Sequence, residues 1–165
     1  MVTVSNTIPL RYLIAIGQEH LFEELFSKIF IPSAVFDELT HPHSPESVRS
    51  FISSKPRWLE IRAVNDPGVH SVPHLLHRGE RQAIALAETL PADLLLIDEK
   101  YGRRAASGRK FKISGTLGVL ETAESLGLID KFPNVLEELK ASGFYIKPPL
   151  EGLLLRRHDQ RKGGR

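Results

Sequence analysis

The run Leu94-Leu95-Leu96-Ile97, closed by Asp98, constrains the fold of this chain more than any other stretch. Four consecutive aliphatic residues leave a strand no polar side. Such a strand needs cover on both faces, as in a parallel sheet lined by helices. Upstream, Ala83, Ile84, Ala87 and Leu90 recur at helical spacing. Glu80 opens that helix and Asp98 closes the strand. In open α/β sheets, sites form beyond the carboxyl ends of strands. These two acids are therefore the first candidates for chemistry.

The rest of the chain follows the same alternation. Strands are expected at residues 2–5, 28–31, 94–98 and 111–113, and residues 58–64 read as a strand or an extended connection. Helices are expected at 9–16, 20–27, 33–39, 45–52, 79–90, 99–107, 116–126, 130–142 and 150–157. Residues 65–77, with Pro67, Gly68 and Pro73, read as a surface loop. Strands alternating with helices predict an α/β sandwich with a mostly parallel sheet. A length of 165 residues suits one domain. The expected division is a domain over 1–147, then a C-terminal helix and a frayed basic tail over 148–165.

The chain has no cysteine, which excludes disulfide scaffolds and thiolate metal sites and fits a reducing compartment. No apolar run approaches the roughly 20 residues of a membrane span, and the start Met1-Val2-Thr3-Val4 has no signal-peptide pattern. A cytoplasmic protein without membrane contact is expected. The net charge of +2 says little about partners. Its distribution says more: Lys100, Arg103, Arg104, Arg109, Lys110 and Lys112 crowd one segment, a candidate phosphate-binding run. The plain alternative is a solvated basic face.

Four polar side chains fall where strands end or helices lie beside those ends: Asn6, Glu38, Glu80 and Asp98. Singly, each has an ordinary role. Asn6 and Asp98 suit helix caps, Glu80 suits a helix first turn, and Glu38 suits an exposed helix face. Together they point to a pocket of oxygen donors. Clustered carboxylates repel unless a cation lies between them, and oxygen ligands favour Mg²⁺ or Mn²⁺ over zinc. His41, His43, His70, His74 and His77 lie in two loops without the tight paired spacing of a zinc site. No Gly-x-Ser-x-Gly elbow, P-loop or Gly-x-Gly-x-x-Gly occurs.

Five segments in register carry a resemblance. They are Val4-Ser-Asn-Thr-Ile-Pro-Leu10, Ile31-Pro-Ser-Ala-Val-Phe-Asp-Glu-Leu39, Arg78-Gly-Glu-Arg-Gln-Ala-Ile-Ala-Leu-Ala87, Leu94-Leu-Leu-Ile-Asp-Glu-Lys-Tyr-Gly-Arg-Arg-Ala-Ala106 and Ile113-Ser-Gly-Thr-Leu-Gly-Val-Leu120. Over residues 1–147 they resemble the PIN domain, in a prokaryotic subgroup related to VapC-type toxin ribonucleases. The resemblance implies a three-layer α/β/α fold and an acidic cluster that binds Mg²⁺ or Mn²⁺ and cleaves single-stranded RNA. Many relatives are homodimeric toxins inhibited by an antitoxin protein. Carried over by position, Glu38, Glu80 and Asp98 are the catalytic and metal-binding acids, and Thr7 is the hydroxyl beside the first ligand. Glu99 is a further candidate ligand, and Thr116 looks like a helix cap near the site. Lys100, Arg103, Arg104, Arg109 and Lys110 are the expected nucleic-acid contacts.

One position departs from the family pattern. Asn6 stands where the family has the Asp that is its main metal ligand. An amide oxygen still coordinates, but it carries no charge and cannot act as a base. The alternative to a ribonuclease is therefore a PIN-like module that binds nucleic acid or protein with weak or absent catalysis. A phosphoacceptor receiver domain needs an acid pair after the first strand, and the first strand here offers only Asn6.

Overall fold

The computed structural model describes residues 1–64 and 76–164. The chain runs β1 (Thr3–Ser5), α1 (Thr7–Ala15), α2 (His20–Phe26), β2 (Ile29–Pro32), α3 (Ser33–Leu39), α4 (Glu46–Ser53) and β3 (Leu59–Arg62). It continues through α5 (Arg78–Thr89), β4 (Leu94–Leu96), α6 (Lys100–Ala106), β5 (Lys112–Ser114), α7 (Thr116–Ser125), α8 (Phe132–Ala141) and α9 (Pro148–Gly163). Most of the loop expected at 65–77, with His70 and His74, lies outside the described residues.

Five strands form one sheet in the order β3-β2-β1-β4-β5. Every pairing in it is parallel. The segment that was ambiguous in the sequence, 58–64, contains the edge strand β3, paired to β2 from Ile29↔Leu59 to Pro32↔Arg62. Its side chains are half-buried or exposed. An edge strand lacks the two-sided apolar run that marks a central one, which explains the ambiguity.

Strand alternation sorts the apolar residues onto two faces. Ile29, Ile31 and Leu96 join one core with helices α1 to α4 and α7 to α9. Val4, Leu95 and Ile97 join a second core with Ala83, Ile84 and Ala87 of α5 and Ala106 of α6. Two cores on opposite faces of one sheet make the three-layer α/β/α sandwich that the Leu94–Ile97 run demanded. Gly127 and Gly143, which end α7 and α8, take φ values of +76° and +104°, a conformation in which a Cβ would be strained.

The C-terminal helix is longer than its apolar pattern predicts. Residues expected as a frayed tail stay helical to Gly163. Leu154 enters the first core. Beyond it, His158 is buried and meets Glu124 of α7, while Arg161 pairs with Glu121 and Glu124. His158 also stacks on Phe132 with ring centroids 5.7 Å apart. The basic tail is thus held by two acids on α7, a tertiary interaction that sequence period does not reveal. Removing one member of a buried ion pair strands the other. Glu124→Ala should therefore lower unfolding free energy by about 2–4 kcal/mol, measured by urea denaturation. Glu137→Ala, on an exposed helix surface, should change it by less than about 0.5 kcal/mol.

Candidate active site

The strand order reverses direction at β1. The chain passes from β1 outward to β2 and β3, then returns across β1 to β4 and β5. Such a switch point opens a crevice beyond the strand ends. Ser5 lies opposite Leu96 in the register, and the Asn6 N–H donates to the Leu96 carbonyl at 2.9 Å. Asn6 therefore leaves β1 beside the strand that delivers Asp98.

Asn6 occupies the N-cap position of α1, but its side chain makes no capping bond. The residue is 2% exposed, and its Oδ1 is enclosed without a hydrogen-bond partner. A buried carbonyl oxygen left unpaired costs about 1–3 kcal/mol. The ordinary capping role is not the one this side chain plays, and an enclosed oxygen is available as a donor. Next to it, the Thr7 hydroxyl donates to Glu38 Oε2 from α3. Glu38 itself is exposed to solvent.

Asp98 is held from the other side of the crevice. The Thr116 N–H donates to Oδ1 at 2.9 Å and the Thr116 hydroxyl to Oδ2 at 2.6 Å. Thr116 is fully buried at the first position of α7, with Gly115 as the N-cap. Its hydroxyl does not cap its own helix but fixes the acid on the neighbouring strand. An N-cap-like threonine in sequence gives no sign of this, because the partner lies eighteen residues away across β4 and β5.

Glu80 opens α5 and is 6% exposed. Its pKa is raised by desolvation and then by repulsion from Glu99, with a smaller contribution from Glu38. Asp98 is also raised, by burial, against the lowering effect of Thr116 and of the Arg103 guanidinium. Glu99 adds repulsion to both Glu80 and Asp98. It is thus the charge the two acids share, a more central place than its helix-start position suggests. Two glycines make room for the carboxylates. A Cβ on Gly79 would collide with the Glu38 carboxylate, and one on Gly115 with Asp98 Oδ1. A Cβ on Gly102 would instead collide with the Ile97 side chain.

The basic run of residues 100–112 is not one surface. Lys100 and Arg103 line cavities that include Asp98, and the Arg103 guanidinium lies 3.5 Å from the Ile97 carbonyl. Arg104 is exposed on the same helix. Arg109 and Lys110 lie near Met1, Asp93 and Lys112, beside the amino ends of the strands. There Arg109 pairs with Glu88 and donates to the Ala105 carbonyl at 3.0 Å. One helix, α6, carries the chain from one end of the sheet to the other, so neighbours in sequence separate in space.

The PIN-domain family model matches residues 2–160. The chain belongs to the PIN-domain family. Its fold is similar to a chain in the crystal structure of VapBC2 from Rickettsia felis bound to a DNA fragment from their promoter. That match has a TM-score of 0.53 and 16% identity, and covers 70% of this chain and 98% of that one. The comparison with curated proteins gives no match.

PIN domains are in general divalent-metal-dependent nucleases. Among the described residues, no three Asp, Glu or His side chains form a ready metal cage. The donors nevertheless fit a hard cation. All are oxygens, one is the orphaned Asn6 Oδ1, and like charges already crowd Glu80. Mg²⁺ commonly binds through one or two carboxylates and keeps several waters, so a three-acid cage is not required.

The raised acids set a sign for stability. A carboxyl with a raised folded-state pKa binds more protons folded than unfolded. Stability therefore falls as pH rises from the ordinary carboxylate range through the raised value. Above that window, Glu80→Gln removes the penalty and should raise the melting temperature by roughly 2–4 °C per kcal/mol recovered. Mn²⁺ should raise it in the native protein, and by less in Glu80→Gln. Both are read by differential scanning calorimetry at pH 5 and pH 8. Gly115→Ala leaves every charge in place but displaces Asp98. It should cut Mn²⁺ affinity about 10–100-fold by calorimetric titration, the usual cost of losing a support behind a ligand.

Proposed function

We propose that this PIN domain is a Mg²⁺- or Mn²⁺-dependent endoribonuclease that cleaves single-stranded RNA. We further propose that it acts as the toxin of a pair with an antitoxin protein. The observation that carries the reading is the enclosed, partnerless Asn6 Oδ1 at the switch point, beside strand ends that deliver Asp98 and Thr7. A helix-capping Asn would be bonded, and an apolar core would not keep it.

Each residue has a task in this reading. Asn6 would hold the ion with one or two of the acids Glu38, Glu80 and Asp98, waters would fill the remaining positions, and Glu99 would be an additional donor. Thr7 orients Glu38, and Thr116 orients Asp98. A bound divalent ion supplies a water of lowered pKa and charge to offset the developing phosphorane. Glu80, crowded by burial and by the charges of Glu99 and Glu38, would gain most from the charge of the cation. Lys100 and Arg103, at the rim beside Asp98, bind the phosphates on either side of the scissile bond. The antitoxin is proposed by analogy with VapBC2, a complex with a chain that this fold resembles, and the homodimer from the PIN-domain resemblance alone.

Asn6 also supports a second reading, a nucleic-acid- or protein-binding module with weak or no catalysis. A neutral ligand lowers the charge of the site and with it the affinity for a divalent ion. The two readings separate in one experiment. Purified protein with Mn²⁺ should cut a labelled single-stranded RNA, and Asp98→Ala should reduce the rate by about 10²-fold or more. Cleavage that survives in Asp98→Ala or in EDTA sinks the ribonuclease reading. If the native protein neither binds Mn²⁺ nor cuts while Asn6→Asp gains both, the binding module stands instead.

A further inference from the structure

One aromatic side chain lies near Asp98 on a segment whose sequence is unremarkable. Phe144, Tyr145 and Ile146 join α8 to α9 and alternate in direction. Phe144 packs edge-on against Tyr12 of α1, with ring centroids 5.2 Å apart at 83°. Ile146 is 4% exposed within the first core. Between these two anchors Tyr145 turns outward and is 76% exposed, the most exposed large apolar side chain among the described residues. It borders two cavities that Asp98 also lines. Tyr145 lines a cavity of about 240 Å³ with Asp98, Glu99 and Lys100. It also lines one of about 540 Å³ with Asp98, Arg103 and Lys147.

A single exposed ring is ordinary on a protein surface; the charges grouped around this one set it apart. A ring set between the half-buried Phe144 and the buried Ile146, with Lys100, Arg103, Lys147 and Asp98 around it, suits a base. Single-stranded nucleic acids are bound by aromatic platforms flanked by phosphate-binding cations. The geometry points to Tyr145 as the stacking platform for the RNA base next to the scissile phosphate. Lys100, Arg103 and Lys147 then carry the backbone across Asp98. The site takes any base, because every base offers a π-face, and it rests on the ribonuclease reading for its substrate class.

The test uses the full chain in EDTA, where nothing is cut, with a fluorescein-labelled 12-nucleotide single-stranded RNA followed by anisotropy. Tyr145→Ala should weaken binding about tenfold without changing its salt dependence, and Tyr145→Trp should keep native affinity. The pair Lys100→Ala and Lys147→Ala should lower the salt slope by about 0.7 per cation. Mn²⁺ affinity, measured by titration calorimetry, should stay unchanged in Tyr145→Ala. All three side chains are on the surface, so the variants keep their fold. Native-like binding by Tyr145→Ala, or failure of Tyr145→Trp, overturns the platform. So does a loss of self-association in Tyr145→Ala by sedimentation with RNA affinity intact, which would make the ring a contact between copies. A native protein that binds RNA through Tyr145 but never cleaves it keeps the platform and sinks the nuclease. One that cleaves with Tyr145→Ala unaffected in binding does the reverse.

Discussion

The parallel pairing of β1 on both its edges is the interaction on which the rest depends. Three residues, Thr3 to Ser5, bond to β2 on one side and β4 on the other. Parallel neighbours cannot be joined by a tight turn, so each pairing requires a crossover through helices. The crossovers on the two sides of β1 leave in opposite directions, and the crevice between them holds the site. Asn6 and Thr7 follow β1 directly, Asp98 follows β4, and Glu38 and Glu80 ride on the helices after β2 and β3. A one-residue slip of β1 against β4 would turn Val4 away from its core and move Asn6 from the Leu96 carbonyl.

The site works against the stability that the sheet supplies. It buries an amide oxygen without a partner and two carboxyls whose ionisation is opposed by burial. Supporting groups limit the cost without removing it. Thr116 gives two hydrogen bonds to Asp98, Arg103 gives it a nearby charge, and glycines at 79 and 115 keep backbone out of the way of the carboxylates. A chain selected only to fold would replace these groups with apolar ones. Local destabilisation that persists among well-packed neighbours marks a place kept for chemistry.

Much of this arrangement was legible in the sequence, and the limits have physical causes. The Leu94–Ile97 run announced a sheet covered on both faces, since only two-sided burial tolerates it. Helical periods located α1 to α9 to within a few residues, except at the C-terminus. There the last two turns of α9 are held by Glu121 and Glu124, partners that no local period encodes. The site divides along the same line. Side chains placed at strand ends, such as Asn6 and Asp98, follow from topology and can be anticipated. Thr116 and Tyr145 owe their roles to neighbours far away in sequence. So does the separation of Arg109 and Lys110 from Lys100 and Arg103, which a one-dimensional charge run conceals.

That separation decides where nucleic acid can be attracted. With a net charge of only +2, no long-range field over the whole molecule favours a polyanion. Several cations are already committed elsewhere: Arg109 to Glu88, Arg157 to Glu121, and Arg161 to Glu121 and Glu124. Around Asp98 the positive charge is Lys100, Arg103 and Lys147, grouped near Tyr145, while Arg11 and Arg78 line the cavity on the Glu38 side. Screening confines each of them to about 8–10 Å at physiological salt. The attraction is therefore local, and it is divided between the Asp98 and Glu38 sides of the crevice. The clasp of α9 on α7 does not touch the acids, but it fixes the far end of the segment that carries Tyr145 and Lys147. On the proposed reading, a basic helix spent on internal ion pairs would still set where a strand of RNA lies.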